Sequence, residues 1–320
     1  KDLGRENFRT VKAMSYLGGD LLHEGRFVQG EALTKESQKL AREKFPDCKW
    51  IVAYGQKHLA IAYLSREKVK LSETAARESL NISKELLPQN HRGRMNISST
   101  LATVLAREGN FTEAEEILSD LVPLEETTLG MNHWQTEMDK QTLARVCARQ
   151  GKIEKLDGAI ASSIAFLKTM PGNLLVTHGL GCLYAAKGNT AEAERYLTIA
   201  ANDSRKMQPE TRTFSYSDYR LAEVYLQQGK LDAAEELANK TLAWSEAEFG
   251  KDNAMSGALL DLAGQIKERR GDNVEASILY RKALHARIES LGLEAPLTIE
   301  TINSLNRNDQ KFQKNVFLTF

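Results

Sequence analysis

Chemistry in this 320-residue chain would have to be built from six histidines, three cysteines and 43 acidic side chains. The histidines stand at His23, His58, His91, His133, His178 and His285, far apart and without the short spacing that metal ligands share on one helix or loop. No His-Glu-x-x-His, phosphate loop, Gly-x-Ser-x-Gly or Cys-x-x-Cys is present. Gly179-Leu180-Gly181 has no strand before it and lies in a helical pattern, which argues against a dinucleotide fingerprint. Cys147-Ala148-Arg149-Gln150-Gly151 is near a cysteine-protease motif in composition but not in order. The carboxylates are spread over the polar faces of amphipathic segments, with no pair set apart for acid/base work. The sequence thus predicts a non-enzyme, with no catalytic residue, no metal and no cofactor.

The elements that carry these residues are clearest between Ser215 and Leu242. Leu221, Ala222 and Tyr225 share one face of a helix, Gly229 ends it, and Leu231, Ala234, Ala238 and Leu242 recur at the spacing of a second helix. Asp232, with Glu235 three residues on, is expected to open that second helix as an N-cap. The turn position returns as Gly25, Glu67, Gly109, Gly151, Gly188, Gly229 and Gly271, at steps of 42, 42, 42, 37, 41 and 42. Seven residues before it stands a small residue in every unit: Gly18, Ala60, Ala102, Ala144, Gly181, Ala222 and Gly264. Five residues after it stand Gly30, Ser72, Ala114, Leu156, Ala193, Ala234 and Ala276, of which only Leu156 is large. Small residues at matched positions of two helices let their axes cross closely. A period near 42 then means a stack of helix-turn-helix units.

This pattern resembles the tetratricopeptide repeat over roughly residues 8–292. The long period, and junctions such as Leu129-Gly130 and Leu291-Gly292 before a new helix, resemble the kinesin-light-chain kind. The resemblance implies an all-α fold, a right-handed α-α superhelix of about seven repeats plus a C-terminal capping helix. The expected layout is one solenoid over 1–306, with repeats at about 6–46, 50–88, 93–129, 132–170, 173–205, 211–249 and 252–292. A cap at 296–306 and a tail at 307–320 complete it. Thr112 and Glu115 read as a capping box, Pro123 should kink or shorten its helix, and the Glu67 turn should be capped less tightly than the glycine turns.

Forty-three basic and 43 acidic residues balance, so a general nucleic-acid surface is not expected. Three cysteines, Cys48, Cys147 and Cys182, fit a reducing, cytoplasmic setting better than a disulfide framework. No apolar run is long enough to span a bilayer. A first residue Lys1 in place of Met suggests an excised domain.

In the family resembled, first helices line a concave groove. Mapping their outward positions gives Tyr54, Lys57, Ile61, Ser99, Thr103, Gln141, Arg145, His178, Tyr216, Tyr219, Arg220 and Glu223, with His58 and Asp261 beside them. Basic residues gather toward Lys57–Arg149 and acids toward Glu223–Asp261. Aromatics and arginines are the usual anchors of protein recognition. The expected function is a scaffold that binds a peptide or partner helix in this groove. The alternative is a ligand-sensing regulatory module of a larger signalling or transcription protein. Self-association through the apolar C-terminal end (Val316, Phe317, Leu318, Phe320) is a further expectation.

Overall fold

The structure, a computed structural model, describes residues 4–206 and 214–317, with side chains for all but 214–215 and 311–317. Among the described residues there are fifteen α-helices. In chain order these begin with α1 (Phe8–His23), α2 (Phe27–Lys44), α3 (Lys49–Ser65), α4 (Val69–Leu86) and α5 (Arg92–Glu108). The middle of the chain forms α6 (Phe111–Thr128), α7 (Trp134–Arg149), α8 (Lys155–Thr169), α9 (Leu174–Ala186) and α10 (Thr190–Lys206). The remainder forms α11 (Phe214–Gln227), α12 (Leu231–Phe249), α13 (Ala254–Arg270), α14 (Asn273–Leu291) and α15 (Pro296–Phe317). The fold is all-α and built of helix hairpins. The start of the sixth repeat expected at 211 lies outside the described residues, as do Leu318 and Phe320 of the apolar end.

The helices pack as two compact units, Lys1–Arg107 and Glu108–Phe320. In the first, α1 packs on α2 and α3 on α4, and the first helices α1 and α3 lie side by side. In the second, α7–α8, α9–α10, α11–α12 and α13–α14 pair in the same way, with α7 beside α9 and α15 on α14.

All seven turn positions have positive φ, from +59° at Glu67 to +89° at Gly109. At Gly229 the left-handed residue lets its own N–H reach Leu226 O at 3.1 Å and the Lys230 N–H reach Tyr225 O at 2.9 Å, closing the helix end. The Glu67 turn is not the looser cap expected: Glu67 N–H donates to Leu64 O at 3.2 Å and Lys68 N–H to Tyr63 O at 2.9 Å. A carboxylate tied to Arg107 at 2.8 Å holds Glu67 in a conformation that otherwise favours glycine.

The matched small residues are buried in every repeat. In repeat two they touch directly, with Ser72 Oγ donating to Ala60 O at 2.7 Å. In repeat one the backbones are close, and a Cβ added to Gly30 would lie 2.9 Å from Leu22 N and 3.0 Å from Gly18 O.

Helix starts are the main local departure from expectation. Residue Leu231, not Asp232, opens α12, and the cap position is Lys230. Asp232 instead binds Arg270 at 2.5 Å, and Glu235 binds Lys267 and Arg270, each at 2.8 Å. Thr112 is likewise already inside α6, and Glu115 binds Gln150 and Lys152. The left-handed turn already closes these hairpins, which frees the acids to link neighbouring repeats. Pro123 does not shorten α6, which runs on to Thr128. Nor does α15 stop at 306: Asn308 Nδ2 donates to Asn273 O at 2.8 Å and to Ser277 Oγ at 2.7 Å, holding the longer helix on α14.

Two carboxyls are buried together where α6 meets α7. Glu125 is fully enclosed and accepts from Gln135 Nε2 at 2.6 Å, and Asp139, which acts on it electrostatically, is itself buried. Burial, then the Asp139 charge, pushes the Glu125 carboxyl up to about 8. Between its ordinary value near 4.5 and about 8 the unfolded chain has released a proton that the folded chain keeps. Stability from this pair is therefore full below 4.5 and falls as pH rises through 8, by at most about 1.4 kcal/mol per pH unit. Urea unfolding across that range should show this slope in the parent chain and lose it in Glu125→Gln. An equal slope in both would contradict it.

Candidate functional site

The second unit brings five outward side chains of neighbouring first helices together. On α11, Tyr219 Oη donates to Glu223 Oε1 at 2.7 Å and Arg220 Nη1 donates to Glu223 Oε2 at 2.8 Å. The Arg220 guanidinium lies 5.2 Å from the centre of the Tyr219 ring. Glu223 thereby holds both neighbours in fixed rotamers. Its charge raises the Arg220 pKa further, while burial and then that same charge raise that of Tyr219. Arg220 stays 41% accessible.

On α9, His178 Nδ1 lies 2.9 Å from Ser217 Oγ of α11, and His178 Nε2 lies 3.5 Å from Cys182 Sγ one turn along its own helix. From α7, Arg145 hydrogen-bonds Thr142 Oγ1 at 3.2 Å. Arg145, His178 and Arg220 all act electrostatically on Cys182. Burial would raise that thiol, but His178, Arg145 and Arg220 together outweigh it and bring it down to about 6.

In the first unit, α1 and α3 carry an aromatic row. Trp50 lies 6.1 Å from Tyr16, Tyr16 is 5.2 Å from Tyr54, Tyr54 is 4.3 Å from His58, and His58 is 4.9 Å from His23. Residues 12, 16 and 23 on α1, and 50, 54, 57, 58 and 61 on α3, recur at helical spacing and so share one side. Lys57 Nζ sits 5.2 Å from the Tyr54 ring, and Lys12 Nζ 5.8 Å from that of Tyr16. Desolvation lowers the Lys57 pKa. His58 is packed against the row, and burial, then the charge of Lys57, brings it down to about 3.

The sequence-derived positions are sorted by this geometry. Tyr54, Lys57 and Ile61 are half-buried on α3; Ser99 and Thr103 are half-buried on α5. Arg145, His178, Tyr219, Arg220 and Glu223 come together as described. Gln141 does not belong to an open face: it is buried, and its Nε2 donates to Ser163 Oγ at 2.9 Å and Val176 O at 3.1 Å, in the space that Gly179 leaves. Tyr216 packs against the apolar cluster of Leu226, Ala238 and Met255. The acidic end expected at Glu223–Asp261 is neutralised from within. Arg220 pairs with Glu223, while Asp261 accepts from Thr301 Oγ1 at 2.9 Å and lies 3.7 Å from Arg287. Residues missed in the sequence are Tyr16 and Trp50, whose period on α1 and α3 was the available signal, and Cys182, which stands four residues after His178. Among the described residues no group of three or more His, Cys, Asp or Glu is placed to hold a metal ion, and no helix is long and apolar enough to cross a membrane.

The tetratricopeptide-repeat family matches residues 214–289, the sixth and seventh hairpins. These two hairpins are tetratricopeptide repeats. Their turn, crossing and period recur in the other hairpins. A Podosopora anserina protein described as a kinesin light chain with nearly identical TPR-like repeats is 23% identical over 60% of this chain and 94% of its own, with a TM-score of 0.41. Similarity of fold extends further. NprR in complex with its cognate peptide NprX has a TM-score of 0.67 at 13% identity, covering 97% of this chain and 87% of its own. A Rap protein complexed with competence and sporulation factor has a TM-score of 0.55 at 12% identity, covering 96% and 99%. No curated protein matches this chain.

Proposed function

We propose that this chain is a non-catalytic interaction scaffold that takes a peptide or a partner helix on the exposed side of its first helices. The observation that carries this reading is the Tyr219–Arg220–Glu223 group, with His178 and Arg145 beside it. These side chains are not needed for hairpin closure or helix crossing, which other positions perform. They are held in place, partly accessible, and combine an aromatic surface with fixed donors and acceptors. Such anchors suit protein recognition. The folds of NprR, seen with its cognate peptide, and of Rap, seen with competence and sporulation factor, support the same use of the fold.

Peptides selected from a displayed random library against the folded chain supply the test. Replacing Tyr54, Arg145 and Tyr219 together with alanine should weaken their binding at least tenfold while helicity by circular dichroism is kept. Unchanged affinity would remove the first-helix side from consideration.

A further inference from the structure

We propose that Cys182 is a redox modification site: a thiol at the base of the first-helix face of the second unit, paired with His178 and oxidised by a small hydroperoxide. The proposal does not depend on peptide binding. It starts from position. Cys182 lies on α9 one turn after His178, so its sulfur and the imidazole share a side of the helix, with Sγ 3.5 Å from Nε2. The other ring nitrogen is fixed by Ser217 Oγ at 2.9 Å. This is the geometry of a nucleophile, a base and a group that orients the base.

The surroundings point the same way. The charged groups acting on the sulfur are Arg145 of α7, His178 of its own helix and Arg220 of α11, the last shared with Glu223. From α10 the neighbours are apolar, Ala193 and Leu197, and α11 adds Leu221 and Val224. A thiol among apolar groups alone would be inert; the Arg145 and Arg220 guanidiniums, with an imidazole in hydrogen-bond reach, favour its thiolate. The thiol of Cys147 makes the contrast. It is fully buried, and burial, then a hydrogen bond to Glu115, pushes it up. Cys182 is only 5% exposed, so the oxidant proposed is hydrogen peroxide, close to water in size.

The step balances. The thiol proton passes to His178 Nε2. The thiolate sulfur attacks one oxygen of hydrogen peroxide, an S–O bond forms and the O–O bond breaks. The sulfur is oxidised by two electrons to a sulfenic acid. The departing hydroxide takes the proton back from His178 and leaves as water. The product places a polar S–OH beside Arg145 and Arg220, on the face assigned above to recognition.

The full chain is treated with hydrogen peroxide, quenched, unfolded, alkylated and mapped by mass spectrometry, which reads each cysteine irrespective of its burial. At pH 7 Cys182 should lose its free thiol at least tenfold faster than Cys147, with a rate that climbs through pH 6 and then levels. His178→Gln, folded by circular dichroism, should slow Cys182 about tenfold and move the pH midpoint upward, and its Cys147 should be unchanged. Loss at Cys182 no faster than at Cys147, or a rate and pH profile indifferent to His178→Gln, would overturn the proposal. If His178→Gln does not fold, Ser217→Ala, which frees the imidazole from its tether, is expected to slow Cys182 as well. No slowing there would also overturn it.

Discussion

Arg107→Ala should lower the unfolding free energy by about 3 kcal/mol at pH 7, because it strands a buried carboxylate. Glu67 is 3% exposed, and Arg107 is the ion-pair partner that the described structure gives it, at 2.8 Å. Burial already pushes the Glu67 carboxyl up, and the Arg107 charge opposes that shift. Without the guanidinium, Glu67 must either stay charged in an apolar place or take a proton. The deficit should therefore be largest at neutral pH and shrink as pH falls toward about 4.5, because Glu67 takes up its proton above that value in both folded proteins. Glu67→Gly acts in the opposite sense. It removes the buried charge and puts glycine where φ is +59°, relieving about 1 kcal/mol of left-handed strain. It leaves Arg107, 28% exposed, able to reach water. Glu67→Gly should be near neutral, and the double variant should recover most of what Arg107→Ala loses. Urea unfolding of the four proteins forms a double-mutant cycle. A coupling near zero would mean that the ion pair does not hold the turn.

Gly30→Ala should cost about 2–3 kcal/mol by forcing apart a packed crossing, although alanine is the better helix former by about 1 kcal/mol. Alanine is what this chain itself uses at the equivalent position in repeats three, five, six and seven: Ala114, Ala193, Ala234 and Ala276. Repeat one differs because Gly18 and Gly30 face each other. An added methyl would meet Leu22 N at 2.9 Å, Gly18 O at 3.0 Å and Leu22 Cγ at 2.8 Å. Two of these are backbone atoms, so α1 and α2 would have to separate, and rotamer changes alone would not relieve the overlap. A Gly30→Ala chain as stable as the parent or more so would show that the crossing has slack.

Both predictions arise where one repeat departs from its siblings, which is also where reading the sequence was hardest. The hairpins were legible because one residue without Cβ, or one held in its conformation, marks each turn, and because small residues at two fixed offsets mark each crossing. Those constraints are local and repeat seven times. Helix starts were less legible. Asp232 and Glu115 look like caps in sequence, but their partners, Arg270 and Lys152, sit 38 and 37 residues away in the next repeat. The outward positions were legible only by helical phase. Phase placed Arg145, His178, Tyr219, Arg220 and Glu223 on one side, yet it could not reveal that Gln141 turns inward. That depends on Gly179, an element away, leaving room for its amide. Nor could phase show that Asp261 is spent on Thr301 and Arg287, or that Arg145 and Arg220 of neighbouring helices act on Cys182.

The central claim is that the first helices form the recognition surface and the second helices form its support. Hydrogen–deuterium exchange of the chain with and without a library-selected peptide tests it most directly. The account predicts added protection in α7, α9 and α11, centred on Arg145, His178 and Tyr219–Glu223, with α8, α10 and α12 unchanged. Protection confined to the second helices, with these first helices unaffected by a saturating peptide, would contradict it.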